Sequence, residues 1–366
     1  MRIKNLSIIL ALILLLMHSS LFGQQDLKTE YVFWITYDGL RWQEVFGGVD
    51  KKLMDNEDFT SAKEEIEARF WDEDPLESRK KLLPFFWEVI LKEGQLYGNR
   101  NLGSKVNCSN DQLFSYPGYN EILTGFPDSE INSNDKKYNK NITLLEFANM
   151  QEAFKGKVAA FGSWDVFPFI INEPRSGITV NAGFDIAEEA NLSDKELLLN
   201  EIQPQTPSPW STVRLDVFTH HYAKEYLRKF EPRLLYIAYG ETDDFAHGGD
   251  YDAYLKSAWQ TDAFIRELWN YAQSHPKYRG KTSLVISTDH GRGTVPIDAW
   301  KSHGNKIEGA EEIWIAVLGP DTPALGEVKE GPILYQKQLA QTVAHLLGIQ
   351  YKSNKPSGEK IKRAFK

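Results

Sequence analysis

Three apolar runs in this chain end in the same way, and that repetition restricts the fold more than any other feature. Residues 31–37 (YVFWITY) run into Asp38 and Gly39. Residues 234–239 (LLYIAY) run into Gly240, Glu241, Thr242 and Asp243, and Leu284, Val285 and Ile286 lead to Thr288, Asp289, His290 and Gly291. Short runs that are β-branched or aromatic at successive positions suit strands buried on both faces, as in a parallel sheet. Such a sheet gathers its strand carboxyl ends along one edge, and ligands bind in the crevice outside that edge. Acidic residues and a histidine are therefore delivered to the place where chemistry is usually done.

The rest of the chain alternates strand and helix. Residues 157–161, 178–182 and 313–318 read as further strands, and 96–106 as a strand or hairpin. Pro84 opens a short helix closed by Gly94, and another helical stretch follows Trp164. Helices are expected over 192–202, from Ser208 and Pro209 to about Phe230, over 251–271, and over 335–347 before Gly348. Tyr254, Leu255, Ala258, Ile265, Leu268 and Ala272 form one apolar stripe. In LFSYPGYNEILTG, residues 113–125, Ser115 stands as the N-cap of a short helix that Gly125 ends. A helix start also attracts anions, so a serine there can meet a phosphate. The charged segment 50–81, with parts of 128–140, is expected to form a small cap, and the basic residues 351–366 a frayed tail. Together these elements make one α/β domain over 26–350, built on a central, mostly parallel sheet.

Residues 1–23 differ from everything after them. Arg2 and Lys4 precede an apolar run that gives way to Ser19, Ser20 and Gly23, the layout of a signal peptide. Export to the periplasm or beyond is the expectation. Loss of this leader would move the formal charge from -9 to -11 by removing Arg2 and Lys4. An acidic chain disfavours a nucleic-acid surface, yet metal ions could still draw in a small phosphorylated substrate. The single cysteine, Cys108, excludes an intramolecular disulfide. No later run is long and apolar enough to span a membrane, and nothing in the sequence sets the oligomeric state.

Asp38, Asp243, His247, Asp289, His290 and His303 are the residue types that ligate zinc, with manganese or iron as alternatives. Asp243 and His247 are four apart, so one helical turn points both the same way. With Ser115 the set is large enough for two divalent metal ions in one cleft, and clustered Asp and His are a recognised metal signature. Singly, each has a plainer role as a helix cap or a satisfied polar residue. His220 and His221 read as ordinary helix residues, with no carboxylate spaced to join them.

In this order the Asp-Gly, Ser-x-Pro, Asp-x-x-x-His, Asp-His-Gly and His-Gly elements resemble the alkaline phosphatase superfamily, and within it the type I phosphodiesterase and nucleotide pyrophosphatase branch. Asp38 to Arg41 match its Asp-Gly-x-Arg. Ser115, Pro117, Ile122, Leu123, Thr124 and Gly125 match its nucleophile segment. The resemblance implies a three-layer sandwich and hydrolysis of phosphoesters through a phosphoserine on Ser115. It also implies one metal held by Asp243, His247 and His303, and another by Asp38, Asp289, His290 and Ser115. Members usually carry Asn three positions after the nucleophile, where this chain has Gly118. Asn120 or Arg292 is then a candidate substrate contact in its place, or a backbone N–H could serve, and the choice between diester and monoester stays open. A phosphotransferase or mutase of the same superfamily is an alternative, although no large second domain separates Ser115 from Asp243. A sulfatase fits less well because the segment after Ser115 lacks the sulfatase Arg. A non-catalytic, metal-stabilised binding protein would keep its ligand and show no turnover.

Overall fold

The computed structural model describes residues 27–366, so the leader lies outside the described residues. Eleven strands are present: β1 Tyr31–Tyr37, β2 Gly94–Tyr97, β3 Val106–Asn107, β4 Val158–Gly162, β5 Thr179–Ala182, β6 Leu234–Tyr239, β7 Thr282–Thr288, β8 Glu312–Ile313, β9 Ile315–Leu318, β10 Gly326–Glu327 and β11 Leu334–Tyr335. Eight form one sheet in the order β10-β2-β9-β7-β1-β6-β4-β5, and β11-β3-β8 form a small second sheet. Only β9 runs against its neighbours in the large sheet; the other strands are mutually parallel. The strand at the centre, β1, is buried at all seven positions.

Continuous apolarity is what two covered faces demand. Phe33, Ile35 and Tyr37 enter one core with helices Asp216–Phe230 and Tyr251–Ser274, while Val32 and Trp34 enter the other with helices Ser115–Thr124 and Leu339–Leu346. The sheet is thus the middle of three layers. All six residues of the predicted stripe on Tyr251–Ser274 are fully buried. Complete burial of a Leu or Ile side chain is worth about 1.5–3 kcal/mol.

Register then sets the site. Tyr37 is level with Tyr239 on β6 and with Thr288 on β7, so Asp38, Gly240 and Asp289 emerge side by side from three adjacent strands.

Four expectations are corrected. The segment 96–106 is no hairpin: β2 pairs with β9 in the large sheet, and β3 pairs with β8 in the small one. The helix expected from Ser208 begins only at Asp216, because Val213 is bridged to Trp164 and buried Arg214 is tied to Asn181 and Asp185 carbonyls. The tail is not frayed: Ile361 and Ala364 are buried, and the Gly358 N–H donates to the Gly125 carbonyl at 2.8 Å. Segment 50–81 is no separate cap, since Ile66, Phe70 and Leu82 belong to the first core and Asp252 accepts from Ser61 and Ala62.

Candidate active site

Ser115 is the first residue of helix Ser115–Thr124, with Phe114 in the N-cap position, and its hydroxyl makes no capping hydrogen bond. The capping role expected of it is therefore corrected. Its Oγ lies 3.5 Å from His290 Nε2 in a pocket where the residue is only 5% exposed. Phe114 at the N-cap makes no side-chain bond to the helix end either, and the Ser115 hydroxyl faces His290 instead.

His290 Nε2 is the meeting point. Asp38 Oδ1 is 3.4 Å from it, Asp289 Oδ2 3.5 Å and Asp243 Oδ1 3.6 Å. The other nitrogen of the ring, Nδ1, is 3.0 Å from the Gly291 carbonyl, which assigns the proton to Nδ1 and leaves the Nε2 lone pair facing the carboxylates. Each aspartate is likewise held by one oxygen. Tyr119 donates its hydroxyl to Asp38 Oδ2 at 2.8 Å, and the Gly39 N–H donates to Asp289 Oδ1 at 3.0 Å. The remaining oxygens, Asp38 Oδ1 and Asp289 Oδ2, are buried with no partner. Burial, and then the charge of Asp243, pushes the Asp38 carboxyl well above its usual range; burial and Asp38 do the same to Asp289.

Two dry carboxylates with open oxygens call for a cation, and the donor geometry fits one. Four donors about 2.1 Å from a tetrahedral zinc are separated from one another by about 3.4 Å. The distances from His290 Nε2 to Asp38, Asp289 and Ser115 are all close to that edge length.

The second group sits beside it. His247 Nε2 is 3.2 Å from Asp243 Oδ2 across one turn of helix Glu241–Gly248, and 2.9 Å from His303 Nε2. His303 Nδ1 faces the Leu113 carbonyl at 3.2 Å, which again leaves Nε2 for a ligand. Burial, with His290 adding to it, pushes the His303 imidazole down to about 2, so it is neutral. Burial alone would raise Asp243, but Arg292, His247 and His303 together hold it well below the usual carboxylate range. Asp38, Asp289 and His290 form one cluster of converging donor atoms, and Asp243, His290 and His303 form another; His290 reaches both. His247 closes the second cluster from its more exposed side.

Two glycines are dictated by this crowding. Gly39 has φ +59°, and a Cβ there would stand 2.8 Å from Asp243 Oδ1 and 2.9 Å from Arg292 Nε. At Gly118 a Cβ would meet the Asp289 carbonyl at 2.5 Å, so no side chain fits at the position where relatives carry Asn.

Neither candidate substrate contact is free to act as one. Asn120 is fully buried; its amide donates to the Phe126 carbonyl, and its Oδ1 accepts from Asn139 and Asn141. Arg292 is 1% exposed, ion-paired to Asp243, and donates to the Gly39 and Lys301 carbonyls. Sequence reasoning missed Asn134, whose Oδ1 accepts the N–H of Tyr116, next to the nucleophile, at 3.0 Å. It lies in a loop between elements, where no periodicity marks it. His220 does have a carboxylate partner, Glu267 at 2.7 Å, supplied by another helix and so invisible to spacing.

A strand-end cluster of buried carboxylates and imidazoles around a serine at a helix start is a set of groups suited to metal-assisted hydrolysis, and solved structures share the fold. Alkaline phosphatase PafA superposes with a TM-score of 0.59 at 10% identity, covering 94% of this chain and 100% of that one. The phosphonate monoester hydrolase of Agrobacterium radiobacter gives 0.52 at 11%, covering 91% and 76%. The lipoteichoic acid synthase LtaP from Listeria monocytogenes gives 0.54 at 12%, covering 88% and 72%. The profile of the type I phosphodiesterase / nucleotide pyrophosphatase family matches residues 46–354, and the chain belongs to that family. It is accordingly a phosphoester hydrolase. None of the curated proteins compared with it matches. Among the described residues no helix is long and apolar enough to cross a membrane.

Proposed function

We propose that the protein cleaves small phosphodiesters through a phosphoserine on Ser115, with two divalent ions, zinc by the chemistry of the donors, held by Asp38, Asp289, His290 and Ser115 and by Asp243, His247 and His303. The observation that carries this reading is the pair of open, buried oxygens on Asp38 and Asp289 beside the Ser115 hydroxyl. The ions would supply the positive charge that acidifies the serine hydroxyl and offsets charge on the leaving oxygen. Ser115 Oγ forms a bond to phosphorus as the ester P–O bond breaks and the alcohol departs. Water then cleaves the phosphoserine and returns the hydroxyl. With Nδ1 of each facing a carbonyl, His290 and His303 would give their Nε2 lone pairs to the ions and would not serve as bases.

Both arginines that approach this centre among the described residues are committed elsewhere, which favours diesters. Arg292 is committed to Asp243, and Arg41 is buried against Glu44. A diester carries one negative charge where a monoester carries two, so it makes the smaller demand for cationic neutralisation. Hydrolysis of a nitrophenyl phosphodiester, monoester and sulfate ester by the zinc-loaded protein tests this. The diester should give kcat/KM at least tenfold above the other two; equal or faster monoester turnover would refute the preference. The charged start, apolar run and small residues of 1–23 support export of the enzyme to the periplasm or beyond.

We assign to Asn134 the donor role that Gly118 cannot fill: its Oδ1 accepts the N–H of Tyr116, beside the nucleophile, so the NH2 group is the part of the amide left to donate. Asn134→Ala is expected to lower kcat by roughly 10²–10³-fold, the range for removal of one donor to developing charge. Zinc content should be unchanged. A variant with wild-type kcat would remove Asn134 from the reaction.

A further inference from the structure

Glu121 lies on the nucleophile's own helix, is fully buried, and belongs to neither ligand cluster. Its oxygens accept the backbone N–H groups of Ser109 at 3.0 Å, Asn110 at 2.8 Å and Lys337 at 3.0 Å. They also accept the Ser109 hydroxyl at 2.6 Å and the Asn110 side-chain amide at 2.8 Å. Donating that amide fixes which way Asn110 faces. Its Oδ1 is left to accept the backbone N–H groups of Gln112 at 3.2 Å and Leu113 at 2.8 Å. Leu113 is thereby held at φ +56°, a left-handed conformation that is strained for a non-glycine residue. In that conformation its carbonyl meets His303 Nδ1 at 3.2 Å.

We propose that Glu121 and Asn110 are positioning residues for His303, acting through the Leu113 carbonyl. The inference rests on the reading that His303 helps to hold a cation. The chain of contacts explains three features that core packing leaves unexplained: a buried carboxylate satisfied by N–H and O–H donors, an asparagine with its amide orientation set, and a leucine in left-handed backbone. All three converge on one histidine proton. Leu113 is also two residues before Ser115, so the same loop mounts the nucleophile and orients a ligand of the second cluster. A change in one would be felt at the other. Glu121→Gln would keep the volume but replace one acceptor oxygen by an NH2 group that meets donors at either position, the Ser109 and Lys337 N–H groups at Oε1 or the Asn110 N–H and amide at Oε2, so the loop that carries Asn110 and Leu113 loses part of its anchor either way.

The test uses the full-length protein with Glu121→Gln, with Asn110→Ala, and with Asn110→Ala combined with Leu113→Gly. Each is stripped of metal, checked for folding by circular dichroism, and titrated with zinc against a chromophoric chelator. Orienting partners of ligating histidines are typically worth about 10–100-fold in metal affinity. One zinc equivalent should weaken by about that factor in Glu121→Gln and in Asn110→Ala, while the other keeps its affinity. Adding Leu113→Gly to Asn110→Ala should restore most of the loss, because glycine takes the left-handed conformation without help from Asn110. Two equivalents at wild-type affinity in folded Asn110→Ala would overturn the proposal, and so would a loss that Leu113→Gly fails to restore. If Glu121→Gln does not fold, the two Asn110 variants decide alone. A wild-type protein that takes up no zinc would bring down the metal reading and this inference together, an outcome plainly different from unchanged affinity in the variants.

Discussion

Replacing Ser115 by alanine should reduce diester turnover on the order of 10⁶-fold, the scale seen when the nucleophile of a covalent mechanism is removed and binding and electrostatics remain. The size of the effect follows from how little else at the centre could attack. The hydroxyl is the one buried at the start of helix Ser115–Thr124 with no capping bond to make, facing the atom on which both aspartates converge. Alanine leaves Asp38, Asp289 and His290 in place, so the variant should still bind metal, with the first ion weakened by loss of one donor. That separates loss of the nucleophile from loss of the site. A second measurement makes the point independently: acid-quenched wild-type enzyme should carry a phosphoryl group on the peptide containing Ser115, and the alanine protein none. Turnover within tenfold of wild type, or phosphate found on another residue, would show that Ser115 is not the nucleophile.

The ease with which that centre can be read from sequence differs from one residue to the next. Strand-borne residues were legible, because two covered faces force an apolar run and the acidic residue just past the strand must lie at the sheet edge; Asp38, directly after Tyr37, and Asp289, directly after Thr288, are cases. Asp243 and His247 were legible from helical spacing. What could not be read depends on packing between distant segments. The committed state of Arg292 needs Asp243 and the carbonyls of Gly39 and Lys301 brought together by the fold. Asn120 looked available because nothing nearby in sequence occupies it, yet its partners Asn139 and Asn141 come from the loop beyond its helix. Asn134 is the converse, a loop residue brought to the nucleophile without any pattern to announce it. The basic tail shows the limit of composition: its charges suggested fraying, while Ile361 and Ala364 fix it to the second core.

Removal of metal should abolish activity and lower Tm, and one substitution should reverse the sign of the stability effect. An ion at about 100 times its Kd stabilises the folded chain by about 2.7 kcal/mol, so chelation should lower Tm by several degrees and added zinc should restore it. The loss has a structural origin in Asp38 and Asp289, whose inward oxygens are buried without partners and whose ionised forms burial and mutual repulsion disfavour unless a cation is present. Without a cation, that repulsion and desolvation are uncompensated. Asp289→Asn removes one charge and keeps the shape: its Oδ1 can still accept the Gly39 N–H, and its NH2 can donate toward Asp38. In chelated samples Asp289→Asn should therefore melt above wild type. In zinc it should melt below wild type, because an amide is a poorer ligand than a carboxylate. A purely structural aspartate would give the same sign in both conditions, and a cluster that holds no metal would leave wild-type Tm unmoved by chelator. The crossing of the two melting curves thus depends on the cluster existing to hold a cation, and it can be measured without any substrate.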